Sequence, residues 1–183
     1  MWGLPPGALS FFFFAASSSS NNSNLRLLEQ RLDMAFEVSK EAEEFLRNDD
    51  KPQALSYLED ALNMGRKSVI TLTSEPEADP ELVDKAQKWL IQVLMDSSDI
   101  RIQQEDWDGA RRDAWAACVF SNYATVEPLE TMVKISQGQQ DNFGEYQALQ
   151  QLLQIGEDSL TDAEASKRKQ WSYRLEELTN EME

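Results

Sequence analysis

Of the side chains that carry most enzyme chemistry, this chain of 183 residues holds few. It has no histidine and a single cysteine, Cys118. The commonest general base and metal ligand is therefore missing, and neither an intramolecular disulfide nor a thiolate zinc site can form. Cys118 stands in an alanine-rich stretch and reads as a small core residue. Asp106 and Asp108 lack the Asp/Asn ladder and closing Glu of a calcium loop. No Gly-rich phosphate loop and no nucleophile–base pair is visible. An enzyme built on this chain would have to work with carboxylates, Lys and Tyr alone, so a non-catalytic protein without cofactor or metal is expected. Charge, by contrast, is abundant: 33 acidic against 17 basic residues, a formal net charge of -16 and a pI near 4.3. That balance repels phosphate and argues against nucleic acid as a partner. The small basic clusters Arg111-Arg112 and Lys167-Arg168-Lys169 are expected to pair with acids on helices. The chemistry left to this sequence is recognition by charge.

The elements that must position that charge are helices. Residues 1–24 carry no charged side chain and run through Phe11–Phe14, Ser17–Ser20 and an Asn/Ser tract. They are expected to form a disordered low-complexity tail, with organelle import as an alternative role. The apolar run in this tail is too short to span a bilayer. From Leu25 onward, apolar residues recur at three- and four-residue steps. Leu25, Leu28, Leu32 and Phe36 open a first helix, which Asn48-Asp49-Asp50 breaks. Pro52 opens a second, in which Ala54, Leu58 and Ala61 mark one face and Gly65 the expected end. Thr71–Pro80, with two prolines and three acids, is expected to be a loop. Five further helices follow: one from about Glu81, one after Asp106, one near Pro128, one through Tyr146–Ile155 and one after Thr161. In the last, Thr161 and Glu164 form a capping box. Ser68–Thr73 is the nearest approach to a strand and stands alone. The trace is all-α, with about seven helices.

The second helix of each pair shares a pattern. Ala54, Leu58 and Ala61 are matched by Ala110, Ala114 and Ala117, and the same spacing recurs at Ala148, Leu152 and Ile155. Small residues four and three apart clear a shallow strip that lets a neighbouring helix approach. Polar turns at Asn48–Gln53 and Glu105–Gly109 lead into the first two alanines. Residues 25–183 thus resemble the tetratricopeptide repeat family, helix–turn–helix units of about 34 residues. Val38–Arg66 matches best, and the leading alanines are 56 and then 38 residues apart. The resemblance implies a right-handed superhelix of three antiparallel pairs, with a C-terminal capping helix over Thr161–Glu183 whose outer face is polar.

In that family the first helix of each unit lines a groove that holds a partner segment. One version grips a C-terminal carboxylate with five Lys, Asn and Arg side chains. The corresponding positions here fall on Ser39, Glu43, Asp96, Glu130 and Lys134, of which Lys134 alone keeps a positive charge. The resemblance therefore implies that the carboxylate clamp is absent. It implies instead a groove of Ser39, Lys40, Glu43, Asp96, Asp99, Glu130 and Lys134 whose acids attract a Lys/Arg-rich protein segment. The expected role is an adaptor, scaffold or assembly factor, monomeric or within a larger complex and cytoplasmic unless imported. The alternative is a structural bundle that self-associates. Trp89, Trp107, Trp115 and Trp171 are expected to pack in the core or at its edge.

Overall fold

The computed structural model describes residues 8–182, with side chains from residue 23 onward. Of the tail expected at residues 1–24, residues 1–7 lie outside the described residues, and from Ala8 onward the backbone is the start of a helix rather than a disordered segment. Seven α-helices make up the described chain: α1 (Ala8–Arg47), α2 (Lys51–Ser74), α3 (Pro80–Gln103), α4 (Trp107–Phe120), α5 (Val126–Gly138), α6 (Asn142–Gln154) and α7 (Asp162–Met182). A short 3-10 turn, Glu157–Ser159, precedes α7.

One turn, used three times, folds the chain back on itself. At the end of α1, α3 and α5 a non-glycine residue takes the left-handed conformation: Asp49, Glu105 and Gln140, with φ of 58°, 60° and 56°. The next residue is an aspartate in each case. Its N–H reaches five residues back, to the carbonyls of Phe45 (2.9 Å), Arg101 (2.9 Å) and Ser136 (2.8 Å). These bonds close the Schellman pattern that satisfies a helix C-terminus. The same aspartate then caps the following helix, Asp50, Asp106 and Asp141 accepting from the N–H groups of Gln53, Gly109 and Gly144. One residue ends one helix and starts the next, so α1/α2, α3/α4 and α5/α6 become tight antiparallel hairpins. The expected capping box closes the start of α7: Thr161 N–H donates to Glu164 at 2.8 Å, and Glu164 N–H donates to the Thr161 hydroxyl at 3.3 Å.

The hairpins stack in series. Each helix packs on its chain neighbours, and α1 also reaches α3. The apolar interior falls into clusters along the stack. One joins Ala42, Ala54, Leu58, Val93 and Ile100 from α1, α2 and α3. A second runs through Leu32, Leu72, Leu90 and Ala117. The largest takes residues from α3 to α7, including Leu129, Leu149, Leu152, Trp171 and Leu178. Nearest-neighbour packing of this kind is that of a repeat solenoid.

Two expectations at the first hairpin are corrected. Gly65 does not end α2, which continues to Ser74, and the loop shrinks to about Glu75–Asp79. Val69 and Leu72 carry on the buried face of Leu58 and Ala61 at helical spacing, and that burial outweighs the weak helix propensity of Thr71 and Thr73. Gly65 sits inside the helix because Trp89 lies against its backbone, where a side chain would collide with the indole ring. The interval from Ala54 to Ala110 is long because α2 and α3 are each 24 residues, not because a long loop intervenes.

Candidate docking groove

The first helices of the three hairpins, α1, α3 and α5, share a run of carboxylates. Burial raises the Asp96 carboxyl above its ordinary pKa; a hydrogen bond from Gln92 (2.9 Å) opposes this, and the charges of Asp99 and Glu43 add to it. Glu127 is raised in the same way, by burial first and then by Asp99, Asp96 and Glu130. An acid that raises a neighbour's pKa through its charge stands close enough to repel it. Glu43 on α1, Asp96 and Asp99 on α3, and Glu127 and Glu130 on α5 therefore form one electrostatic unit across three helices. Glu127 went unnoticed in the sequence.

The other anticipated groove residues divide. The Ser39 hydroxyl is used structurally, donating to the Phe36 carbonyl at 2.8 Å and accepting from the Trp89 indole at 2.9 Å. Lys40 is exposed and pairs with Glu37 at 2.6 Å, and Arg47 approaches Glu43 at 3.6 Å. Glu130 receives the Lys167 ammonium of α7 at 2.8 and 3.0 Å, so α7 closes and partly neutralises that end. Lys134 is exposed on the same helix.

The repeated turn also corrects the third register. The residue four after the capping aspartate is Ala54 in α2 and Ala110 in α4, but in α6 it is Glu145, not Ala148. The second interval is 35 residues rather than 38, while Glu130 and Lys134, each 91 residues after Ser39 and Glu43 as Asp141 is after Asp50, keep their places in this register. The spacing of Asp50, Asp106 and Asp141 was the signal that could have shown this. A glutamate at a close-approach position looked like surface and hid it.

Two polar clusters hold the hairpins at fixed positions. Arg101, its side chain 13% exposed, joins three elements: Asp113 of α4 at 3.0 Å, the capping Asp106 at 2.5 Å, and Glu59 of α2. Ser97 donates to the same Asp113 at 2.6 Å, and Ser98 donates to the Ala110 carbonyl at 3.0 Å. The polar residues Ser97, Ser98 and Arg101 of α3 are thus all paired. At the other end, Glu145 is 2% exposed and accepts two bonds from Arg174 of α7, at 2.9 and 3.0 Å, and one from Gln137 at 2.7 Å. Burial raises the Glu145 pKa, but the bonds from Arg174 and Gln137 outweigh it and leave the carboxyl below its ordinary value. The position that α2 and α4 fill with alanine here carries the anchor of the capping helix.

Among the described residues, no group of His, Cys, Asp and Glu is placed to hold a metal ion, and no helix is long and apolar enough to cross a membrane. Burial pushes the Cys118 thiol up to about 12, which leaves it inert near neutrality. Serial helical hairpins, a shared turn and a capping helix make the fold all-α and tetratricopeptide-like. The C-terminal TPR-containing domain of a Plasmodium falciparum FK506-binding protein has a similar structure: TM-score 0.59 and 16% identity, over 85% of this chain and 92% of that one. No family model and no curated protein matches the sequence.

Proposed function

We propose that the chain is a non-catalytic protein-interaction module that docks a Lys/Arg-rich partner segment along the acidic face of α1, α3 and α5. The observation that supports this most is that Asp96 and Glu127, each raised first by burial, are raised further by neighbouring acids, Asp96 by Asp99 and Glu43 and Glu127 by Asp99, Asp96 and Glu130. A solvated face spreads like charges apart. Here they are gathered and left without enough cations, a state that a basic guest relieves. The Ser39 hydroxyl serves packing rather than the guest, and Lys134 and Lys167 mark the end where the field weakens. The likeness in fold to a TPR-containing domain supports an interaction role and says nothing of the partner.

The test is fluorescence anisotropy with a labelled Lys/Arg-rich peptide. Binding to the wild type should weaken steeply as salt rises, and the pair Asp96→Lys with Glu127→Lys should reduce affinity by about tenfold or more. Equal affinity in that variant would refute the groove. A second reading, a subunit that self-associates, rests on the aromatic rings of Phe143 and Tyr173, 62% and 65% exposed on α6 and α7. Elution as an oligomer unaffected by the groove substitutions would favour it.

A further inference from the structure

On the side of α5 away from the acids, α4 and α6 part and leave a cleft of about 700 Å³. Its floor includes Leu129 and Met132, each two residues on from Glu127 or Glu130 and so about 200° around the helix. This cleft is separate from the acidic face.

Its lining differs from the rest of the surface. Trp115 forms one wall and is 53% exposed, whereas Trp171 is 7% exposed. The indole is held in place: Tyr123 meets it edge to face, with centroids 5.7 Å apart and planes at 70°. Val119, one helical turn along, adds a second exposed apolar side chain. Arg111 and Arg112 stand at the rim. Arg111 donates to the Gln139 side-chain oxygen at 2.6 Å and pairs with Asp141 at 2.9 Å. Arg112 makes no ion pair or hydrogen bond among the described residues, and its charge reaches Asp106 across the turn. An uncommitted arginine beside an ordered, exposed tryptophan is unusual in a chain of net charge -16. Arg and Trp are the residues that dominate binding energy at interfaces, and the volume is within the range of ligand pockets, with room for a large apolar side chain and its neighbours.

We propose that this cleft is a second docking site, for a protein segment in which an aromatic or long aliphatic side chain is flanked by carboxylates. The apolar side chain lies on Leu129 and Met132 against the Trp115 ring, and the flanking acids meet Arg112 and Arg111. The guest has the opposite charge to that of the acidic face, so the two sites do not compete.

The experiment uses the full chain and a labelled peptide Glu-Asp-Leu-Phe-Asp-Glu, followed by anisotropy and by quenching of tryptophan emission. Arg112→Glu should weaken binding by about tenfold or more while leaving circular dichroism unchanged, and Trp115→Ala should abolish the emission change. Glu127→Lys should leave this peptide's affinity intact while impairing the basic peptide, which separates failure here from failure of the acidic groove. Three outcomes would overturn the proposal: unaltered binding by Arg112→Glu, equal binding of the peptide with lysines in place of its acids, or phenylacetate binding as tightly as the peptide. The last would make the cleft a small-anion site.

Discussion

Glu145 shows how a single residue can hold an element in place. It is a carboxylate buried where its counterparts are alanines, and Arg174 supplies its charge balance from another helix. Removing one partner of a buried pair leaves the other uncompensated, so Arg174→Ala should cost roughly 3 kcal/mol in denaturant unfolding. Glu145→Ala with Arg174→Ala should be milder than Arg174→Ala alone, because alanine is what this position holds elsewhere. The folded Glu145 pKa lies below its ordinary 4.5, so its contribution is present above that value and is lost as pH falls through the lower folded one. Asp96 and Glu127 have the opposite sign. Their folded pKa values are raised, so their charged forms destabilise the fold at neutral pH, and the penalty fades with acidification. Neutralising them as Asp96→Asn and Glu127→Gln should therefore raise stability at pH 7 by roughly 0.5 kcal/mol while weakening capture of a basic peptide. A simultaneous loss of stability and affinity would mean that these acids are structural.

At the scale of helices, the α1–α2–α3 junction turns on Gly65. An alanine there would favour the helix by about 1 kcal/mol, yet its Cβ would lie 2.9 Å from the Ala35 Cβ and collide with the edge of the Trp89 ring. Overpacking costs about 1–3 kcal/mol, so Gly65→Ala should lower the melting temperature. Because Trp89 holds Ser39, the variant should also disturb tryptophan emission. Helix number and type were legible in the sequence because three- and four-step apolar spacing is dense from Leu25 on. Helix ends were legible where a polar side chain caps, as at Asp106 and Thr161. They were not legible at Gly65, whose glycine answers to a neighbour distant in sequence, or at Thr71, where Leu72 continues a buried face. The third repeat was misaligned because close approach at Glu145 is made tolerable by Gln137 and Arg174, and no local pattern reveals such partners.

For the whole molecule, nearest-neighbour stacking leaves two faces with opposite character: acids gathered on α1, α3 and α5, and a tryptophan–arginine cleft between α4 and α6. That Glu43, Asp96, Asp99 and Glu130 fall on the first helices of their hairpins was legible; their docking role is the proposal. Glu127 and the fate of Ser39 were not legible, because the first depends on its nearness to acids of α3 and the second on a contact 50 residues away. The most direct measurement of the central claim is chemical-shift mapping of backbone amides on adding a Lys/Arg-rich peptide. Perturbations should cluster around Glu43, Asp96, Asp99 and Glu127 and shrink as salt is raised. Perturbations confined to α2, α4 and α6, or none at low salt, would contradict it.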